Sequence, residues 1–322
     1  MMDLCSSTTL ARQGGCGRAW GAKTPAELPP RRRMQHQNGC RERHVLYPEG
    51  TMFDSGPDRG PPTAMRGWLS DVYVPTLLET ALRDKALDSL ARRLGAKATV
   101  DDPIQGRATG LEAITAHVRK TADWLIEHAA SYGRLAFTTG IDRDVTEGTL
   151  SLTFESKTVD LPIAVVAERR RSREVELRVY YATAPIDGSK RTRARLVPNN
   201  PETLAPPAVV DFLGALAKGD IAGITAAFET EGSVRDARGL RHAKKDGELR
   251  AFFDALIAGG AFGGGLELER GGSADDGRSC AVEFTLVKAR GSSVTPQAGL
   301  LMFERGDSGL LRSARLYGDL EA

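Results

Sequence analysis

The strongest constraint on this chain is that its body is written twice. Shifted by 134 residues, the sequence meets itself without a gap over 21 positions. Leu82 falls on Leu216, Leu87 on Ile221, Leu90 on Ile224, Leu94 on Phe228, Val100 on Val234 and Asp102 on Asp236. Farther on, Arg178-Val179-Tyr180 meets Arg315-Leu316-Tyr317, the offset having drifted by three. A repeat this long signals duplicated domains, not a short-repeat solenoid. The length of 322 residues agrees, at roughly 150 residues per domain. We place unit one at 70–186, a linker at 187–202 with Gly188 and Pro198-Asn199-Asn200-Pro201, and unit two at 203–322.

Residues 1–66 read differently. They hold seven of the 16 prolines, three of the four cysteines, and ten Lys/Arg against six Asp/Glu. Pro29-Pro30, Asn38-Gly39 and Pro61-Pro62 interrupt every apolar period. Such a segment cannot bury enough apolar area to offset its ordering entropy, so it is expected to be a disordered arm, with Met52 and Met65 as alternative starts. His36, Cys40 and His44 sit four apart, but Asn38-Gly39 lies between the first two and no Cys-x2-Cys pair supports them, so no metal is expected. The body carries one cysteine, Cys280, which suits a reducing cytoplasm.

Composition removes other classes. Lys plus Arg total 44 against 42 Asp plus Glu, without the basic excess of a nucleic-acid binder. No apolar run approaches the roughly 20 residues of a membrane helix, and the N-terminus lacks the apolar core of a secretory signal. Gly259-Gly260 and Gly263-Gly264-Gly265 lack the strand-then-helix context of a phosphate loop, and no dinucleotide fingerprint is present, so no cofactor is expected.

Both units show the same order of elements. In unit one, helical spacing predicts helices at 76–83 and 87–94, a strand at 97–101 ended by Asp102-Pro103, a helix over 111–131, then strands at 134–141, 149–154, 163–168 and 175–182. In unit two the helices fall at 209–217, 221–228 and 248–258, and the strands at 233–236, 265–270, 279–288, 298–304 and 311–319. Helices first and antiparallel strands after make an α+β layered fold: three helices against one curved antiparallel sheet, a cone with a pocket at its open end.

Ala98-Thr99-Val100-Asp101-Asp102-Pro103, then Gly106, Gly110 and the helix Glu112–Val118, resemble ketosteroid isomerases and SnoaL-like polyketide cyclases of the NTF2-like superfamily. The resemblance implies two tandem cone-shaped NTF2-like (cystatin-like) domains. It places Asp102 at the isomerases' general-base position and Asp236 at its counterpart, where Ala237 replaces the proline. The isomerases' oxyanion donors fall near Leu78 and near Ala164 or Val165, and in unit two near Phe212 and Leu301, all apolar. Losing one such donor costs about 2.7–4 kcal/mol of barrier, so a strict isomerase is not expected.

Neighbouring elements offer candidate replacements. His117, Trp124 and His128 cluster at one edge of the 111–131 helix, where a histidine could donate to an oxyanion or shuttle a proton, although boundary histidines are commonly structural. Tyr180 and Tyr181 lie on opposite faces of the closing strand, and Arg178 shares the face of Tyr180 as Arg315 shares that of Tyr317. Arg178 and Tyr180 beside a cavity could bind a ligand, with Tyr317 and Asp236 in the second pocket; sheet packing and an inter-domain ion pair are the plainer alternatives. The charged run Glu168–Glu174 reads as a solvated hairpin turn. Unit one is expected to hold the working pocket, because Phe252 and Phe253 would fill the other. Two functions remain: acid/base catalysis of isomerase or cyclase type on a small apolar carbonyl compound with Asp102 as base, or a non-catalytic ligand-binding or assembly module built as a fused pseudo-dimer. Epoxide opening would need a second acid, for which Glu127 and Glu155 are the candidates. The expected partner is a small apolar organic molecule, not nucleic acid or membrane. The two units are expected to pack on each other through their sheets, a plan compatible with further homo-oligomerisation.

Overall fold

The computed structural model describes residues 68–80, 83–154, 157–170, 174–258, 265–289 and 292–320. The expected N-terminal arm, its metal-like residues, Glu155 and Gly259–Gly264 lie outside these.

The first half runs α1 (Trp68–Leu77), α2 (Arg83–Leu94), β1 (Thr99–Asp102), β2 (Gly106–Thr109), α3 (Leu111–Glu127), β3 (Ser131–Thr139), β4 (Arg143–Phe154), β5 (Lys157–Arg169) and β6 (Val175–Tyr180). A short linker helix, α4 (Ala184–Asp187), leads to the second half: α5 (Pro207–Lys218), α6 (Ile221–Ala226), β7 (Phe228–Arg235), β8 (Arg241–Ala243), α7 (Glu248–Ala258), β9 (Leu266–Asp275), β10 (Ser279–Ala289), β11 (Ser292–Arg305) and β12 (Leu311–Tyr317). Each half forms a six-stranded sheet of identical topology, β2-β1-β6-β5-β4-β3 and β8-β7-β12-β11-β10-β9. All neighbours are antiparallel except β1 with β6 and β7 with β12.

The local readings differ in several places, and β4, β5, β9 and β11 each run longer than expected. The first helix occupies 68–77, not 76–83, because Leu69, Tyr73, Val74 and Leu77 form its buried stripe. The short strands β2 and β8 were not anticipated; three or four residues carry too little alternation to register. Helix α3 stops at Glu127, short of 131, where His128 caps it and Ala129 turns with φ 45°.

Both faces of each sheet are covered. Inward, Leu177 and Val179 of β6 join Leu150, Leu152, Leu161, Ile163, Ile114 and Leu125 in the core of the first half. Val282, Phe284, Leu301 and Phe303 do the same in the second. Each fully buried side chain of this size contributes about 1.5–3 kcal/mol. Outward, Val145, Ala164, Val166 and Tyr180 meet Ala274, Ala281, Leu300, Met302 and Tyr317 in a third apolar layer, so the halves dock sheet to sheet. The linker fastens this seam: Arg193 Nη2 donates to Asp101 Oδ1 at 2.7 Å, and its guanidinium lies 5.0 Å over the Tyr180 ring.

Candidate functional site

The repeated Arg-x-Tyr pairs do not face a pocket. Alternation along β6 sends Leu177 and Val179 into the core, so Arg178 and Tyr180 project into the seam. There Arg178 holds Glu283 of β10 with two bonds, Nε at 2.6 Å and Nη2 at 2.8 Å, and Tyr180 Oη donates to the same carboxylate at 2.6 Å. The arrangement is reciprocated. Arg315 holds Glu147 of β4 at 2.6 and 2.9 Å, and Tyr317 Oη donates to it at 2.7 Å. Arg178, Tyr180 and Tyr317, candidates for ligand binding on sequence, therefore form a pseudo-twofold clasp between the sheets. Glu168, expected in a solvated turn, joins it: Arg143 and Arg178 reach it at 2.8 and 2.6 Å. Arg143 Nε also lies 3.0 Å from Glu283. Burial alone would raise the Glu283 pKa, but the guanidinium groups of Arg178 and Arg143 outweigh it and hold the carboxyl at about 2.

Asp102 occupies a different place, at the end of β1 and inside the first cone, 4% exposed. Its Oδ1 accepts the backbone N–H groups of Ile104 and Gln105 at 2.8 and 2.9 Å, which turns the chain from β1 into β2. Tyr181 Oη donates to the same carboxylate at 3.0 and 3.2 Å. Tyr73, from α1, lines the same cavity, and among the described residues its hydroxyl has no hydrogen-bond partner. Burial, and after it the Asp102 charge, holds both phenols well above their ordinary pKa, so they are neutral donors. Tyr73 lies five residues before Leu78, the position at which a donor was expected, because the helix starts earlier than its spacing suggests.

His117 is buried nearby. Burial lowers its pKa more than the charges of Asp102 and Asp101 raise it, and among the described residues its Nε2 also has no partner. Trp124 lines the cavity. His128 does not enter it: its Nδ1 bonds to Trp124 O at 2.8 Å, and its ring packs against Trp124 and Phe154 at 4.8 and 4.5 Å. Glu127 is exposed at the end of α3. The cavity around Asp102 amounts to about 20 Å³, the space of about one water molecule.

The room lies in the other half. A cavity of about 330 Å³ opens inside the second cone, lined by Phe212, Leu216, Phe252, Phe253, Leu256, Leu266, Phe284, Leu286, Leu301 and Leu316. This reverses the expectation that Phe252 and Phe253 fill it. They stand edge to face at 5.1 Å, and Phe253 meets Phe212 at 5.8 Å, so the rings form walls. Gly299 helps by leaving space for the Phe284 ring, since a Cβ there would fall 2.4 Å from Cζ. Asp236 lies at the edge of this cavity. Its Oδ1 accepts the N–H groups of Arg238 and Leu240 at 2.9 and 3.0 Å, and its Oδ2 lies 3.3 Å from His242 Nε2. The His242 ring stacks on Phe252 at 4.4 Å. Asp102 and Asp236 thus share one structural task, capping the turn after the first strand.

No protein-family model and no curated protein matches the chain. Several solved structures do. The orange carotenoid protein of Anabaena (Nostoc), described as binding canthaxanthin, is 17% identical with a TM-score of 0.31, over 40% of this chain and 42% of that one. This chain therefore covers less than half of that protein's length. An NTF2-like protein of Cytophaga hutchinsonii is 11% identical with a TM-score of 0.28, over 37% of this chain and 92% of that one. An epoxide hydrolase/cyclase-like enzyme of pyran ring formation in the polyether salinomycin is 12% identical with a TM-score of 0.29, over 37% and 91%. Each match spans about the length of one half. The fold assignment comes from the chain's own topology: two helices, the β1-β2 or β7-β8 hairpin, a third helix and four antiparallel strands, closed by a parallel pair, twice over. The two halves share one α+β fold, of the cone-shaped NTF2-like (cystatin-like) kind. Among the described residues of these domains, no helix is long and apolar enough to cross a membrane.

Proposed function

We propose that this tandem NTF2-like protein binds a small apolar organic molecule, and that the second domain holds it. The observation that carries this reading is the cavity of about 330 Å³ with walls of phenylalanine and leucine. Ligand sites typically begin at about 300 Å³, and an engineered apolar cavity of about 150 Å³ already takes benzene. A bicyclic ring system or a chain of about ten carbons suits the volume. The first domain serves as the second half of the clasped pair, which buries the outer face of the binding domain's sheet.

The test is titration with N-phenyl-1-naphthylamine, a neutral apolar fluorophore. Its emission rises on binding the wild-type protein. Leu301→Trp projects an indole into the cavity and abolishes the rise, while circular dichroism stays that of the wild type. No binding by the wild type, or equal binding by a folded Leu301→Trp protein, sinks the reading.

Acid/base catalysis at Asp102 is the second reading, and the convergence of Tyr73, Tyr181 and His117 around that carboxylate favours it. The space of about one water beside Asp102 ranks it lower, because a carbonyl substrate has no seat there. Turnover of a carbonyl compound that is lost in Asp102→Asn and kept in Leu301→Trp would reverse the order.

A further inference from the structure

The polar groups of the second domain's cavity gather at one end. Strands β7 and β12 are the parallel pair, so their C-terminal ends lie side by side. Asp236 and Arg238 follow β7, and Asp319 follows β12; the linker brings Lys190 to the same rim. The walls away from this rim are apolar. The pocket is therefore amphipathic along its length, and its occupant has one polar end.

The chemistry of that end follows from which rim groups are already used. Asp319 is 7% exposed and accepts from Thr183 N at 2.7 Å, Thr183 Oγ1 at 2.5 Å and Arg191 N at 3.0 Å. Asp236 accepts two backbone N–H groups and lies beside His242. Both carboxylates are engaged by the protein. The two cations are not: among the described residues, neither Lys190 nor Arg238 has a carboxylate within ion-pair distance, and both side chains are exposed at the rim. The unspent recognition capacity of the site is donor capacity with positive charge.

We propose that the second domain's cavity takes an amphiphile with an anionic headgroup, such as a carboxylate on an apolar body of about ten carbons, with Lys190 and Arg238 seating the head. This rests on the reading of the cavity as the ligand site and specifies its ligand class. Arg238 is suited to a bidentate grip on a planar carboxylate, while Lys190 contributes a mobile point charge from the linker.

The experiment is isothermal titration of the full chain with three probes of equal chain length: decanoate, decan-1-ol and decylamine. The expected order is decanoate first, by about fivefold over the alcohol, the yield of two solvent-exposed ion pairs, and decylamine last. In Lys190→Gln/Arg238→Gln, decanoate falls to the affinity of the alcohol and the alcohol is unchanged. Both positions are exposed, so the variant is expected to fold, and its unchanged binding of the alcohol verifies this. Raised salt erodes the preference for decanoate and leaves the alcohol alone. If the alcohol binds as tightly as decanoate to the wild type, or the amine binds best, the anionic headgroup is refuted while the apolar cavity stands. If no probe binds, the cavity itself is not the ligand site and both readings fall.

Discussion

Replacing Glu283 with Gln tests the physical basis of the clasp. Glu283 sits in β10 between Val282 and Phe284, with its side chain 1% exposed, and receives Arg178, Arg143 and Tyr180 from the other domain. An ordinary glutamate ionises near 4.5; this one is held at about 2. A difference of roughly 2.5 pH units is worth about 3 kcal/mol in favour of the ionised form. Gln keeps the shape and loses that charge. Arg178 would retain Glu168 and Glu176 at 2.6 and 3.0 Å, which places the cost at the lower end of the roughly 3–5 kcal/mol for a broken buried pair. We expect a loss of about 3 kcal/mol at pH 7 and, at about 2–4 °C per kcal/mol for a body of this size, a fall in Tm of about 6–12 °C. The measurement is urea and thermal unfolding of both proteins through a pH series. A carboxyl whose folded pKa lies below its unfolded value takes up protons more readily on unfolding. Its contribution is therefore complete above about 4.5 and fades as pH falls toward about 2. The gap between wild type and Glu283→Gln should close over that window. Arg178→Met/Glu283→Met, which removes both charges and keeps apolar volume, should recover much of the loss, because well-packed apolar groups commonly replace a buried pair without penalty. A loss below about 1 kcal/mol at pH 7, or a gap that persists undiminished at pH 2, refutes the reasoning.

Glu147→Gln breaks the other half of the clasp, where Arg315 and Tyr317 donate, and should lower the urea midpoint to a comparable degree. Tyr181→Phe strips Asp102 of its side-chain donor and should cost about 2 kcal/mol by the same assay. Tyr73→Phe removes a buried hydroxyl that has no partner among the described residues and should be neutral or stabilising, so equal losses from the two phenylalanine variants would overturn this account of the Asp102 cluster.

The duplication, the order of the helices and the longer strands, and the α+β layering were legible in the sequence because periodicity is a local property. An apolar stripe at 3.6 residues or an alternation at two is written in neighbouring residues, and α7 (Glu248–Ala258) was bounded correctly from it alone. The recurrence of Arg178 and Tyr180 as Arg315 and Tyr317 was visible too, but not its purpose. The overlooked signal was a single charge inside an apolar strand: Glu283 within Cys280–Leu286, matched by Glu147 on β4. Only the tertiary structure could decide what those residues do, since it brings Arg178 and Glu283, 105 positions apart, to 2.6 Å. It also decided where the room is. Whether Phe252 and Phe253 plug a cone or wall it depends on how helices, sheet and linker set their rings against Phe212 and Phe284. The space left over is a small difference between large packed volumes, and no order of residues along a chain records it.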